Sequence, residues 1–559
     1  MIAAAEETHL PDTRSHSRMA WLRRWRPTVS TELLALLTSV FFTAACNYEL
    51  WHSLVADVHA HARLLVAVFV FVTALQAFLL GLVLSRWTAK PLLTVLFATT
   101  ALAAYYVGTY KVYLDPDMIR NVLETDPGEA GELIVPGLVP PLLGLAVLPI
   151  AVLWRLRLRR RPLLRAAWVR LAFLAGMLAL AAAGALSAFQ DLSALARNHR
   201  EVRYLVTPAN YLASLSRVLL ATPPGPAKPL QAIGEDARGT PRASGARPRL
   251  LVFVLGETVR AQNWGLDGYL RQTTPQLAAM KDVINFPDVE SCGTSTQVSV
   301  PCLFSPYGRH DYDAARIRSH QSLLHVLQRA GVQVLWRDNQ SGCKRVCDGL
   351  EFESMANATD PALCSGKRCY DEILLSGLRA RLKPDGRDRI VVLHQLGNHG
   401  PAYYQRHPPA FRRFTPTCDT EQLGNCSRQQ IVNSYDNAVL YTDHVVASAI
   451  DLLRNEPGYD SALIYVSDHG ESLGENGLFL HGVPQAIAPS QQTRVPMAMW
   501  FSPGFASQSG LDLACMRRAA DEAASHDNLF PTILGLFQVR TALYDPKLDL
   551  LRRCERAQS

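Results

Sequence analysis

Residues 250–258 read Leu250-Leu251-Val252-Phe253-Val254-Leu255-Gly256-Glu257-Thr258, six apolar positions in a row followed by a glycine, a carboxylate and a hydroxyl. An unbroken apolar run of this length, closed by glycine, suits a strand covered on both faces, as in a parallel sheet flanked by helices. Similar runs recur at 332–336, 390–393, 463–466 and 497–501, and all of them are expected to be parallel strands. Helical patterns at 322–330, 371–382 and 430–453 lie between them. Residues 250–559 are therefore expected to form an α/β domain whose ligands gather at the carboxyl ends of the strands.

Before residue 190 the pattern is different. The stretches 31–47, 62–85, 91–110, 134–154 and 166–189 are apolar enough to cross a bilayer as helices, which takes roughly 20 residues each. The 559-residue chain is 48% hydrophobic against 19% charged, a balance that fits a membrane portion. Its net charge of +7 does not lie in a basic, aromatic-bearing stripe of the polar half, which sets nucleic acid aside as a partner. The arginines crowd beside the apolar runs instead. Arg14, Arg18, Arg23, Arg24 and Arg26 precede the first, Arg86 and Lys90 separate the second from the third, and Arg155 to Arg165 separate the fourth from the fifth. The other two loops carry Glu49 and Asp57, and Asp115, Asp117, Glu124, Asp126, Glu129 and Glu132. This alternation puts residues 1–30 in the cytoplasm, makes 31–189 a five-span membrane domain and sends the remainder outside. Residues 222–249 are rich in Pro, Gly, Ala, Arg and Ser, and 190–249 is read as a linker to the catalytic domain at 250–559. A cleaved lipoprotein signal is the rival reading of the first span, through Ala44-Ala45-Cys46, but Thr43 stands where leucine is usual.

The cysteines give the same topology independently. Only Cys46 lies in the apolar half, whereas close pairs follow downstream: Cys292 with Cys302, Cys343 with Cys347, Cys364 with Cys369, and Cys418 with Cys426. Their unequal spacings lack the repeated two-residue gap of a zinc ribbon, so short disulfide loops in an oxidising compartment are expected. Cys515 and Cys554 remain as a possible fifth pair.

Ligand-type side chains follow the strands: Glu257 after the first, His394 and His399 after the third, Asp468 and His469 after the fourth. Each alone is weak, since an aspartate at a strand end also caps helices. Asp468-His469-Gly470-Glu471 with His481-Gly482 and Asn398-His399-Gly400-Pro401 together offer carboxylates and imidazoles in glycine turns, which suits zinc. Ser291-Cys292-Gly293-Thr294-Ser295-Thr296-Gln297 clusters hydroxyls beside the pair formed by Cys292 and Cys302. The plain reading is a helix cap. A metal that favours the alkoxide, at a helix N-terminus that favours a phosphorylated product, also makes Thr296 chemically fit as a nucleophile.

These motifs, with Ser299-Val300-Pro301-Cys302, Tyr403-Tyr404, Asn433-Ser434-Tyr435-Asp436-Asn437 and Ser472-Leu473-Gly474-Glu475, resemble the phosphoethanolamine–lipid A transferases over nearly the whole chain. That family includes the mobile colistin-resistance enzymes and belongs to the alkaline-phosphatase-like superfamily. The resemblance implies a five-span α-helical domain followed by an α/β alkaline-phosphatase-like periplasmic domain, in the bacterial inner membrane. It implies Thr296 as nucleophile and Glu257, Thr296, Asp468 and His469 as a Zn2+ site. His399 and His481 would serve the substrate phosphate or a second zinc, and His394 fits a family position more weakly. Asn121, Thr125 and Glu129 match the segment that contacts the donor lipid, and Ser341 and Lys344 match positions near the phosphoethanolamine headgroup. Asn398 stands where some members have serine. The implied partners are a phosphatidylethanolamine donor, a lipid A acceptor and the bilayer, with the enzyme acting as a monomer. Another periplasmic glycan, a lipopolysaccharide core sugar or a glucan, is the alternative acceptor. Neither Cys292 nor Cys302 begins the Cys-x-Pro-x-Arg stretch that formylglycine formation requires, which argues against a sulfatase. The complete set of Glu257, Thr296, Asp468 and His469 argues against a lipid sensor with a dead site.

The arginine alternation has a direct test. A reporter active only in the periplasm should be active when fused after Phe189 and silent when fused near Arg160, and the reverse pattern contradicts the five-span topology.

Overall fold

Among the described residues, four helical stretches, Ala62–Val83, Ala89–Tyr110, Pro136–Arg155 and Leu163–Ser187, are long and apolar enough to cross a membrane. Thr31–Ala45 and Tyr48–Ala56 meet the same test as one bent pair, with 52° between them, so the computed structural model carries up to five spans. The break at Cys46 and Asn47 has a local cause. The Asn47 amide donates to Phe42 O at 2.7 Å and to Thr207 O at 2.8 Å, and its oxygen accepts from Thr207 N at 2.7 Å. A side chain that takes the backbone's partners in this way ends a helix. Ala62–Val83 and Leu163–Ser187 pack closely where Gly184 meets Phe71: a Cβ at Gly184 would lie 3.1 Å from Phe71 N.

The structure describes residues 26–56, 59–125, 127–221, 229–365 and 368–555. Arg14, Arg18, Arg23, Arg24, Asp57 and Asp126 of the expected topology signals lie outside them. The chain divides into two units, one of Met1–Gly108 with Gly137–Asn210, the other of Thr109–Pro136 with Tyr211–Ser559. The stretch 190–249, expected to be a linker, falls partly in each unit. Phe189–Asn198, Arg200–Leu205 and Ala209–Ala221 are helical, and Thr207 is held in the first unit by Asn47. Further on, Gln231 bridges His320 and Arg238–Gly239 pairs with Val539–Arg540. The loop between the third and fourth spans also belongs to the second unit. It carries helix α1 (Pro116–Glu124), capped by Asp115, whose carboxylate accepts from Met118 N at 2.8 Å.

The second unit is built on an eight-stranded sheet. Its strands are β1 (Arg249–Gly256), β2 (Ile284–Glu290), β3 (Gln333–Asp338), β4 (Glu351–Ser354), β5 (Arg389–His394), β6 (Asp460–Ser467), β7 (Arg494–Phe501) and β8 (Ala524–Ser525). Their order is β8-β2-β7-β6-β1-β5-β3-β4. The expectation that 497–501 is parallel is corrected, because β7 runs antiparallel to both β6 and β2. Every other pairing in this sheet is parallel. Every residue of β1 is buried, which explains its unbroken apolar run. Leu251, Phe253 and Leu255 face a core with Phe304, Trp336 and Ile533, while Leu250, Val252 and Val254 face one with Tyr435, Val439 and Ile450. Helix α2 (Thr296–Leu303) belongs to the first of these layers and α3 (Arg428–Arg454) to the second. The expected helix at 371–382 breaks at Gly377, which sits at φ 68°.

The cysteine pairs expected from spacing close short loops in this second unit. Cys292 is bonded to Cys302, Cys343 to Cys347, Cys364 to Cys369, and Cys418 to Cys426. Cys515 and Cys554, left open above, form a fifth disulfide, and Cys46 is a free, buried thiol.

Candidate active site

The site assembles where parallel strands end side by side. Gly256 pairs with Ser467, and His394 pairs with both Leu255 and Asp338, so β1, β3, β5 and β6 deliver their next residues to one edge. Glu257 and Asp468 follow directly. Beyond Glu257, Thr258 adopts the left-handed region at φ 54°, an unfavourable conformation for a branched residue. Its surroundings impose it: Tyr435 donates to Thr258 O at 2.6 Å, Thr258 N donates to Asp468 at 3.2 Å, and Val259 N donates to Ser467 Oγ at 2.8 Å. On the other side Gly397, at φ 54°, lies so close that a Cβ would stand 2.6 Å from Glu257 O.

Glu257, Asp468 and His469 are completely buried, and their ligand atoms lie within 4.8 Å of one another. His469 Nε2 stands 3.4 Å from Glu257 Oε1 and 3.4 Å from Asp468 Oδ2. Thr296, first residue of α2, places Oγ1 3.0 Å from Glu257 Oε2 and 3.4 Å from His469 Nε2. The Nδ1–H of His469 donates to Gly470 O at 2.9 Å, which leaves the Nε2 lone pair directed at this group. Asp468 Oδ2 is buried without a hydrogen-bond partner. Two buried carboxylates, an imidazole lone pair and a hydroxyl converging on one point form an oxygen and nitrogen donor set suited to zinc, and a cation there compensates the burial of like charges. The other grouping of suitable side chains among the described residues, Cys292, Cys302 and Asp527, is no such site, because both sulfurs are in a disulfide.

Beside this group stand two further imidazoles, those of His481 and His399. The rings of His469 and His481 are 4.5 Å apart, and those of His481 and His399 5.4 Å apart. Glu471 orients His481 through a 2.8 Å contact to Nδ1 and accepts from Tyr403 at 2.6 Å. Desolvation, aided by His481 and Arg406, pushes the pKa of His399 well below the usual histidine range, so its ring is neutral. His394 lies deeper, 2.8 Å from Asp338. Burial raises the Asp338 carboxyl, but bonds from His394, Trp336 and Gly342 N outweigh it and hold it below the usual carboxylate range. Ser341 and Lys344 are brought together: the lysine ammonium donates to Ser341 O at 2.9 Å and to its hydroxyl at 2.7 Å. Ser341 in turn donates to Gln340, whose amide donates to Glu257 at 3.2 Å. The disulfide between Cys343 and Cys347 closes the turn that carries Lys344. Asn121 is on α1, which packs against α2, and the Thr125 hydroxyl donates to Asn121 O at 2.7 Å. The side chain of Glu129 lies outside the described residues.

Several residues here were not assigned from sequence. Asp338 ends β3 as Asp468 follows β6, but the apolar run was cut two residues short at Trp336. Glu471, one of the motif carboxylates, binds Tyr403 and His481, a pairing that the motifs do not reveal. Glu132, in the loop before the fourth span, pairs with Arg406 at 2.5 Å and Arg368 at 3.0 Å, and Arg406 donates to His399 O at 2.6 Å. His526 is buried, and desolvation pushes its pKa down to about 4.

The chain is similar to known proteins over most of its length. The family described as phosphoethanolamine transferase EptA/EptB matches residues 72–222, and the sulfatase family matches residues 249–539. Phosphoethanolamine transferase EptA of Salmonella typhimurium is 37% identical over 543 residues, covering 95% of this chain and 98% of its own. Phosphatidylethanolamine transferase Mcr-1 of Escherichia coli is 36% identical over 536 residues, covering 93% and 96%. Among solved structures, the integral membrane lipooligosaccharide phosphoethanolamine transferase A of Neisseria meningitidis aligns with a TM-score of 0.91 at 36% identity, over 95% of this chain and all of that one.

The donor set predicts where metal is lost. Zinc measured by plasma mass spectrometry on the detergent-purified protein should fall to background in Asp468→Ala and persist in His481→Ala. Full zinc content in Asp468→Ala contradicts the assignment.

Proposed function

The chain belongs to the phosphoethanolamine transferases, and from that premise we propose that it carries phosphoethanolamine from phosphatidylethanolamine to lipid A through Thr296, conferring resistance to polymyxins. It is a multi-pass inner-membrane enzyme with a sulfatase-like periplasmic domain. The observation that carries the mechanism is the Thr296 hydroxyl at the first turn of α2, 3.0 Å from Glu257 and 3.4 Å from His469.

In the resting site the Thr296 hydroxyl donates to Glu257 Oε2, which takes its proton as the oxygen attacks. Thr296 Oγ1 attacks phosphorus, the bond to the diacylglycerol oxygen breaks, and diacylglycerol leaves as an alcohol with a proton. The product is a phosphodiester linking Thr296 to ethanolamine. A hydrogen phosphate of lipid A then attacks the same phosphorus through one of its oxygens, the bond from phosphorus to Thr296 Oγ1 breaks, and the proton given up by the acceptor phosphate restores the Thr296 hydroxyl. Zinc held by Glu257, Thr296, Asp468 and His469 would supply Lewis-acid stabilisation of the alkoxide and of the charge spread over the transferring group. The N-terminus of α2 favours the anionic intermediate. His399 and His481 contact the substrate phosphate, while Lys344 offsets its charge beside Ser341. Asn121, Thr125 and Glu129 meet the donor lipid, and the enzyme works as a monomer.

Mass spectrometry of lipid A from a strain lacking its own transferases tests this. Wild-type enzyme should add phosphoethanolamine, Thr296→Ala should reduce the addition at least about a thousandfold while still inserting and folding, and Thr296→Ser should keep part of it. Undiminished modification by Thr296→Ala contradicts the nucleophile. Modification of another glycan alone, lost in Thr296→Ala, reassigns the acceptor.

A further inference from the structure

The nucleophile and the carboxylate and imidazole beside it come from separate parts of the chain. Thr296 follows the turn after β2, while Asp468 and His469 follow β6. In the sheet β2 and β6 are separated by β7, so strand pairing does not join their ends directly. The ring of His526 does. Cys292 N donates to His526 Nδ1 at 3.1 Å, which fixes the ring proton on Nε2, and Nε2 donates to Ser467 O at 3.0 Å. Both partners are backbone groups, so the imidazole is a rigid strut between two stretches of main chain.

Each end of the strut leads to the reacting group. Ser467 donates from Oγ to His469 O at 3.0 Å and accepts from Val259 N at 2.8 Å, so its position sets both the Asp468-His469 corner and the turn after Glu257. Cys292 opens the turn that ends at Thr296 and is bonded to Cys302 in the last turn of α2. The support beneath His526 is itself fixed. Ser525 pairs with Glu290 at the end of β2, and its backbone N–H donates to the Asn528 side chain at 2.8 Å. Next to it, Asp527 accepts from His310 N at 3.0 Å and from Arg309 N. The hydrogen bonds of the His526 ring go to Cys292 N and Ser467 O, so its effect on Thr296, Asp468 and His469 passes through the backbone.

We propose that His526 is a positioning residue for phosphoethanolamine transfer, holding the turn that carries Thr296 at a fixed distance from the strand end that carries Asp468 and His469. The inference rests on the reading of Thr296 as nucleophile. A displacement of about 1 Å between reacting groups costs on the order of a hundredfold in rate, so loosening the strut lowers kcat and leaves donor binding largely intact.

The test uses the full-length enzyme in detergent with phosphatidylethanolamine and lipid A, and reads kcat and KM per folded molecule, with the folded fraction taken from thermal melting. His526→Phe keeps the ring and removes both bonds. His526→Asn keeps an acceptor for Cys292 N, and His526→Gln keeps a donor for Ser467 O. A fall in kcat of about ten- to a hundredfold in His526→Phe, with KM for the donor within about twofold and partial recovery in either amide variant, supports the strut. Unchanged kcat, a change confined to KM, or amide variants no better than His526→Phe overturns it. If His526→Phe does not fold, the amide variants decide alone: kcat below wild type supports the strut and wild-type kcat overturns it. Thr296→Ala is assayed alongside. Its inactivity beside an unimpaired His526→Phe overturns this inference only, whereas an active Thr296→Ala overturns the nucleophile assignment beneath it.

Discussion

The pairing of Gly256 with Ser467 is the constraint on which the site depends. Because β1 and β6 are parallel and in this register, the residues that follow them, Glu257 and Asp468, emerge together at one edge with both carboxylates fully buried. Burying two like charges is expensive unless something positive lies between them. The strands can bear that cost because both faces of the sheet are covered by apolar layers that hold the backbone in place. A register slip of one residue would exchange those two faces and separate the carboxylates.

On that edge the site combines two kinds of precision. Strand ends supply the carboxylates and His469, and the first turn of α2, whose N-cap Ser295 makes no side-chain capping bond, supplies a hydroxyl together with the favourable end of a helix dipole. Strained and crowded backbone marks the join, at Thr258 with φ 54° and at Gly397 packed on Glu257 O. Such conformations persist only where neighbours over-determine them, as Tyr435 and Asp468 do here. The neighbouring His399, whose pKa desolvation lowers, and His481, oriented by Glu471, stand beside this group.

What the sequence reveals follows from how local each signal is. The apolar runs of β1, β5 and β6 and the polar residues after them are contiguous, so the side chains at those strand ends are legible at once. Close spacing made the disulfides legible in the same way, from the pair of Cys343 and Cys347 to that of Cys418 and Cys426, whereas Cys515 and Cys554 stand 39 residues apart. The direction of a run is not encoded in it, and Met497–Phe501 gave no sign that β7 runs antiparallel. The half-buried β2, with Pro287 inside it, offered no apolar run at all. Arg337 hid Asp338 by interrupting its strand pattern, although that arginine is buried against Glu353 and two backbone carbonyls. The acidic loop before the fourth span looked like a solvated topology signal, yet Glu132 pairs with Arg406, 274 residues away. His526 is illegible for the same reason, since both of its partners are backbone atoms of distant segments.

The central claim is that the Thr296 oxygen takes the phosphoethanolamine group before any acceptor does. Full-length enzyme incubated with phosphatidylethanolamine alone, then digested and analysed by mass spectrometry, should carry one phosphoethanolamine on Thr296 and release diacylglycerol in equal amount. A tag on Ser295 or Ser299 instead, or diacylglycerol released only when lipid A is present, with Thr296 unmodified, would contradict the account.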